Sequence, residues 1–381
     1  MSRATRSNSG FSLIELMIAM TIGLLLLSGL AMIFVNSSDT NRELQKTAQQ
    51  IENGRYAVDM ISQDLRHAGF YGHLHDLSSI TMPATVPPPP CESSSASELT
   101  KALRFPVQGY RGLIHASNPA SDTRASGLTS ACTTALLTDA NLKPGSDVLV
   151  IRRADTNALV STDIATNDVF YIQAGSTSAE IQLGDGIAVG TDKKADGATA
   201  ATITLTNGAL PAPAAPIRKL HVRIYFVAPC SVGSAASGAC TGAAGEDTIP
   251  TLKRLELTAS GTITIVPLVE GIEYFKIEYG VDNLPSTVNI NTGYIGDGTA
   301  DRYYQTPPDW TTVIAAKVYL LARNTESTAD YTDNKTYKLG SAAATDNITV
   351  PAATGANAKY KRHVYTAAVH LVNPAGRREI P

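Results

Sequence analysis

Residues 10–35, GFSLIELMIAMTIGLLLLSGLAMIFV, constrain this chain more than any other stretch. After Gly10 the run is apolar for long enough to cross a hydrocarbon core of about 30 Å, which takes roughly 20 helical residues at about 1.5 Å each. Its one charge is Glu15. A carboxylate inside such a run costs about 3 kcal/mol on insertion scales, so it calls for a partner. The leader, residues 1–10, carries Arg3 and Arg6 and no acid. By the positive-inside rule it stays cytoplasmic and everything after residue 35 is exported. A secretory signal peptide would carry its small-residue cleavage site after the apolar run. Here the distinctive junction, Gly10–Phe11, comes before it.

Helical periodicity continues past Val35 in a more polar register. Leu44, Ala48, Ile51, Val58, Ile61, Leu65 and Ala68 recur at three-, four- or seven-residue steps, on a helix otherwise lined by Arg42, Glu43, Gln45, Gln49, Glu52 and Asp59. No proline interrupts 11–67, Asn53-Gly54 is a point of local loosening, and Gly69 is a C-terminal stop. A continuous helix of this extent would run about 85 Å. Its first half belongs to membrane or to the core of an assembly, and its second half packs on a globular domain.

The segment GFSLIELMIAM resembles the class III signal of type IV prepilins and pseudopilins. That resemblance implies cleavage between Gly10 and Phe11 by a prepilin peptidase, N-methylation of Phe11, and an assembly role for Glu15. The chemistry agrees: the cut leaves a cationic amine at the head of an apolar helix, and Glu15, one turn on, supplies the opposite charge to it or to a neighbour's amine. A second string, NGRYAVDMISQDLRHAGFYG at 53–72, is similar to PilW-type minor pilins through Arg55, Tyr56, Ala57, Asp64, Leu65, Arg66, Ala68 and Gly69. Major pilins usually carry a helix-kinking proline in the apolar half; its absence here favours a minor subunit. Residues 269–282, Asp301-Arg302-Tyr303, Trp310 and 362–372 resemble the same family, while 91–248 is not specifically matched.

At 381 residues, 17% charged and 43% hydrophobic, the chain can bury a real core in one or two domains. Its 29 glycines and 20 prolines suit a β-rich domain with many loops, and a net charge of -3 gives no general attraction to nucleic acid. Residues 81–100, with Pro87 to Pro90, read as an extended linker. Strands are expected at 148–152, 169–172, 202–206, 220–228, 251–258, 262–269, 272–279, 313–323 and 363–372, with 251–258, 262–269 and 272–279 as a meander in a mainly antiparallel system. The fold expected is α+β and pilin-like: leader 1–10, membrane or filament-core helix 11–35, amphipathic continuation 36–69, and a β-rich periplasmic or extracellular head 70–381.

Cys91, Cys132, Cys230 and Cys240 form neither a CxxC pair nor a zinc quartet. An even count beyond a membrane segment points to disulfides in an oxidising compartment, against four buried thiols. Of three pairings, Cys230 with Cys240 and Cys91 with Cys132 is preferred. No GxSxG, GxxxxGK or HExxH motif is present, and the weak glycine pattern Gly184, Gly186, Gly190 fits a turn. His73, His75 and Asp76 lack a fourth ligand, so no metal and no cofactor is expected there. Asp282, Asn283, Asp297 and Asp301 flank an oxygen-rich loop that suits either calcium or plain turn chemistry. Lys359, Tyr360, Lys361, Arg362 and His363, with Arg377 and Arg378, read as a solvated strand edge ahead of a nucleic-acid contact, so DNA binding is disfavoured.

The PilW resemblance implies a non-catalytic subunit stored in the bacterial inner membrane and then drawn to the cell surface. Its implied partners are the prepilin peptidase, inner-membrane lipid, the other minor pilins, the major pilin and a large pilus-tip adhesin. Twitching motility, adhesion and DNA uptake would be downstream. A minor pseudopilin of type II secretion shares the N-terminal logic, and a membrane-tethered adhesin or ligand-binding protein remains the reading from a different class.

Overall fold

The computed structural model describes residues 12–77, 80, 87–91, 96–112, 128, 137–138, 140–159, 170–175, 178–183, 215–235, 238–257, 263–283, 296–341 and 349–378. It divides into two compact units, residues 1–49 and 50–381. Helix α1, Leu13–His67, is unbroken. The Asn53-Gly54 pair does not loosen it. Gly54 is instead a close-approach site, since a Cβ there would lie 2.2 Å from the Tyr365 ring. Gly69 ends the helix as expected, with φ +74° and its N–H donating to the Arg152 carbonyl at 2.9 Å.

The second unit holds two main antiparallel sheets. In the first, β1 (Val107–Tyr110) pairs with β2 (Val148–Ala154), and β2 with the long β5 (Ile217–Ala228). β5 also pairs with β3 (Phe170–Ala174), which carries β4 (Ala179–Leu183), and with β6 (Thr251–Leu257), which carries β7 (Ile263–Glu270). The second sheet has the order β13 (Arg362–His370), β10 (Val313–Arg323), β8 (Ile272–Val281), β9 (Arg302–Tyr304). A two-stranded ribbon, β11 (Tyr337–Lys338) with β12 (Thr349–Val350), completes the described strands.

The expected meander therefore forms only in part. β6 and β7 make a hairpin, but β8 leaves for the second sheet. Gly271 makes the switch, with φ +79°, its N–H on the Pro250 carbonyl and its carbonyl accepting from Arg323 N–H at 2.7 Å. A Cβ there would meet the Arg323 oxygen at 2.6 Å. The last five residues of the expected linker, 96–100, fall instead in the short helix α2 (Ala96–Ala102). The last strand stops at His370, because Leu371 turns the chain into α3 (Val372–Gly376). The strand expected at 202–206 and the glycines at 184–190 lie outside the described residues.

Alternation along the strands sorts the core. Leu149, Ile151, Tyr225 and Val227 face Ala57, Ile61 and Leu65 of α1 and Val318 and Leu320 of the second sheet. Val148, Val150, Ile224 and Phe226 face the opposite way, onto Tyr71, Leu103 and Phe170. The first sheet is thus buried on both faces. Ile61 and Leu65 are wholly buried, each contributing about 2 kcal/mol of transfer free energy to holding α1 on the sheets.

Candidate functional site

Within the first unit, α1 is apolar and open. Residues 12–35 are all exposed, and the segment is long and apolar enough to cross a membrane. Glu15 sits in the first turn, where its Oε2 accepts the N–H of Ser12 at 3.0 Å. This is the carboxylate half of a capping box: Ser12 precedes the helix and Glu15 is the third residue inside it, satisfying one of the free N–H groups at a helix start. Helix capping is the single role for Glu15 that the sequence reading missed, although the Ser-x-x-Glu spacing carried the signal. Gly10 and Phe11 lie outside the described residues.

The seat of the helix on the head is charged at Asp64. Asp64 is buried on α1, and its carboxylate accepts from Arg153 Nε at 3.1 Å, from Arg223 Nη1 at 2.7 and 2.9 Å, and from the Tyr225 hydroxyl. Burial pushes this carboxyl up, but the hydrogen bond and charge of Arg223, with Tyr225 and Arg153, outweigh it and leave Asp64 below the usual range. Arg223 continues to Glu256 at 2.9 Å, and His221 lies between Glu256 and Asp155 at 3.7 and 3.5 Å. Glu256 is drawn down to about 2 by the His221 hydrogen bond, against burial, with Arg254 and Arg223 adding to it. Further along α1, Gln50 donates to the carbonyls of Ala322 and Lys361, and Asn53 to that of Glu270.

The 53–72 string thereby divides into two sets. Ala57, Asp64, Leu65 and Ala68 face the head, and Gly69 turns the chain; Arg55, Tyr56 and Arg66 remain exposed. The solvated edge expected of the basic residues near the C-terminus forms only in part: Lys359 and His363 are exposed, on and beside the outer strand β13, but two of the arginines are buried. Arg362 is buried against Glu273 at 3.2 Å and Asp333 at 3.1 Å, and Arg378 against Asp282 at 3.2 Å. Arg377 donates to the Gly69 carbonyl, tying the C-terminal segment to the end of α1.

Asp282 already has donors on both oxygens: Gly298 N–H at 2.8 Å, Asp297 N–H at 3.2 Å and Arg378. Asp301 accepts from Asn283 N–H, and Asp297 from its own turn at Thr299. This is turn and ion-pair chemistry. Among the described residues no group of three or more His, Cys, Asp or Glu side chains is placed to hold a metal, His73, His75 and Asp76 included. Cys230 and Cys240 are disulfide-bonded to each other. Cys91 is also in a disulfide, and its expected partner Cys132 lies outside the described residues.

Residues 5–31 match the family model of the prokaryotic N-terminal methylation motif, and residues 224–373 match that of Type IV Pilus-assembly protein W. The chain is thus similar to type IV pilus-assembly proteins over the PilW domain of residues 224–373. That domain runs from within β5 to α3, so it contains the Cys230–Cys240 disulfide and the whole second sheet, and it reaches back into a stretch the sequence reading left unassigned. Asp64 lies between the two matched regions. No curated protein matches it. A type IV-like pilin from Thermus thermophilus aligns at 16% identity over 40% of this chain and 78% of its own, with a TM-score of 0.18, and this likeness carries no argument.

Proposed function

We propose that the chain is a minor pilin of a type IV pilus, a non-catalytic subunit that helps initiate assembly and is incorporated near the tip. The observation that carries this reading is the union, in one chain, of a fully exposed apolar helix bearing the N-terminal methylation motif with a PilW domain. The function is packing. Stored in the inner membrane with the head in the periplasm, the chain is cut between Gly10 and Phe11 by a prepilin peptidase, and Phe11 becomes a methylated amine. On extraction into a filament, residues 11–35 exchange lipid for the helices of other minor pilins and the major pilin.

Glu15 then has two claimants. In the isolated chain it accepts the Ser12 N–H, and in the filament it meets an ammonium, which is the stronger partner where water is excluded. A large tip adhesin is the partner proposed for the head. Deletion of the gene tests the assignment. Loss of surface pili with exoprotein secretion intact supports it, whereas lost secretion with normal pili would make the chain a minor pseudopilin of type II secretion.

A further inference from the structure

The disulfide of the PilW domain has an unusual neighbour. Lys253, on β6, is wholly buried, and Cys230 and Cys240 are 2% and 1% exposed. Its Nζ donates to the Gly238 carbonyl at 3.0 Å and lies 3.6 Å from Cys240 Sγ. No carboxylate stands within ion-pair distance of it among the described residues. The two acids whose charge acts on it are occupied by the loop itself. Asp247 accepts the N–H groups of Ser231, Val232 and Ile249, and Glu246 those of Ser234, Thr241 and Gly242. Burial draws the Lys253 ammonium down, against the pull of Asp247 and Glu246.

A buried ammonium held by one carbonyl and a disulfide sulfur gains a counter-ion only when that sulfur becomes a thiolate. A neighbouring lysine lowers a thiol's pKa, and a disulfide whose reduced form is stabilised in this way is more readily reduced. The carboxylates of Glu246 and Asp247 hold Ser231, Val232, Ser234, Thr241 and Gly242 through bonds that do not pass through the disulfide.

We propose that Cys230–Cys240 is an exchangeable disulfide in which Cys240 is the leaving thiolate and Lys253 the positioning residue that stabilises it. The co-reactant is an external thiol, either a low-molecular-weight thiol or the dithiol of a thiol–disulfide oxidoreductase. Local opening of the loop admits it. Its thiolate attacks Cys230 Sγ, a new S–S bond forms to Cys230, the Cys230–Cys240 bond breaks, and the electron pair leaves on Cys240 Sγ beside Lys253. A second external thiol resolves the mixed disulfide. In sum two external thiols are oxidised to one disulfide, and the two cysteines take up two electrons and two protons.

The test uses the full chain in detergent, equilibrated with reduced and oxidised glutathione, quenched by alkylation and read by peptide mass spectrometry. Glutathione is expected on Cys230. Lys253→Met is expected to require about tenfold more reducing conditions for half-reduction, the equivalent of about one pKa unit, with Lys253→Arg near the parent chain. In a Cys230→Ser chain, the ultraviolet absorbance of the Cys240 thiolate is expected to titrate below the ordinary value of about 8.5. Glutathione captured on Cys240 or equally on both, or a Cys240 thiol titrating at or above the ordinary value, would overturn the proposal. So would an unchanged midpoint in a folded Lys253→Met chain. If that variant does not fold, the two measurements that keep Lys253 decide.

Discussion

Arg223 on β5 grips both carboxylate oxygens of Asp64 on α1, at 2.7 and 2.9 Å. The two residues are 159 positions apart, and their contact joins the second half of the helix to the first sheet. Removing one partner of a buried pair strands the other, which costs about 3 kcal/mol or more. Asp64→Ala is therefore expected to lower the thermal midpoint of the head strongly, and an apolar replacement of the whole cluster to do so less. Thermal melts of the variants measure this.

The same cluster sets an acid limit. Asp64 and Glu256 both have folded pKa values depressed below their unfolded ones, Glu256 at about 2. Their contribution is fully present above the unfolded values of about 4 and is lost as pH falls through the folded ones. The stability gap between the parent chain and Asp64→Asn should accordingly close as pH is lowered from about 5 towards 2. Denaturant titrations across that range read the gap. A gap that held constant would mean Asp64 is not the titrating group.

Gly54→Ala separates helix propensity from packing. Alanine favours a helix by about 1 kcal/mol over glycine, yet its Cβ would enter the Tyr365 ring, so the substitution is expected to destabilise by about 1–2 kcal/mol. Adding Tyr365→Ala should remove that steric cost, leaving the double variant more stable than the sum of the two single changes predicts. A double-mutant cycle by chemical denaturation measures the coupling.

Gly69→Ala should also destabilise, by about 1 kcal/mol or more, because φ is +74° and the new Cβ would sit 3.1 Å from the Pro106 ring. A melt unchanged from the parent would mean that the helix end relaxes without cost.

Much of the fold was legible because its signals are local. The apolar run, the 3.6-residue stripe, Gly69 and strands such as 313–323 follow from neighbouring residues, and the ten-residue spacing of Cys230 and Cys240 was enough to pair them. Long-range choices were not. A hairpin spacing at 262–279 could not say that Gly271 hands β8 to another sheet. Nor could composition say that Arg362 is spent on Glu273 and Asp333, 89 and 29 residues away, instead of facing solvent. Asn53-Gly54 looked like a weak point because the ring that fills it comes from Tyr365. Lys253 gave no signal at all, since a lone lysine on a strand ordinarily faces water.

Glu15→Ala removes the acceptor for Ser12 N–H and the proposed partner of the Phe11 amine while leaving the apolar run intact. Membrane insertion should be unchanged or slightly improved, and pilus assembly should fail. Membrane fractionation and counts of surface pili read the two separately. Full assembly in this variant would remove the charge-pairing role.

The most direct test is the N-terminus of the chain in sheared surface filaments, read by mass spectrometry. The account predicts a chain present in the filament fraction and beginning at N-methylated Phe11, lost when the host lacks its prepilin peptidase. A chain absent from filaments, or present there with residues 1–10 still attached, would contradict it.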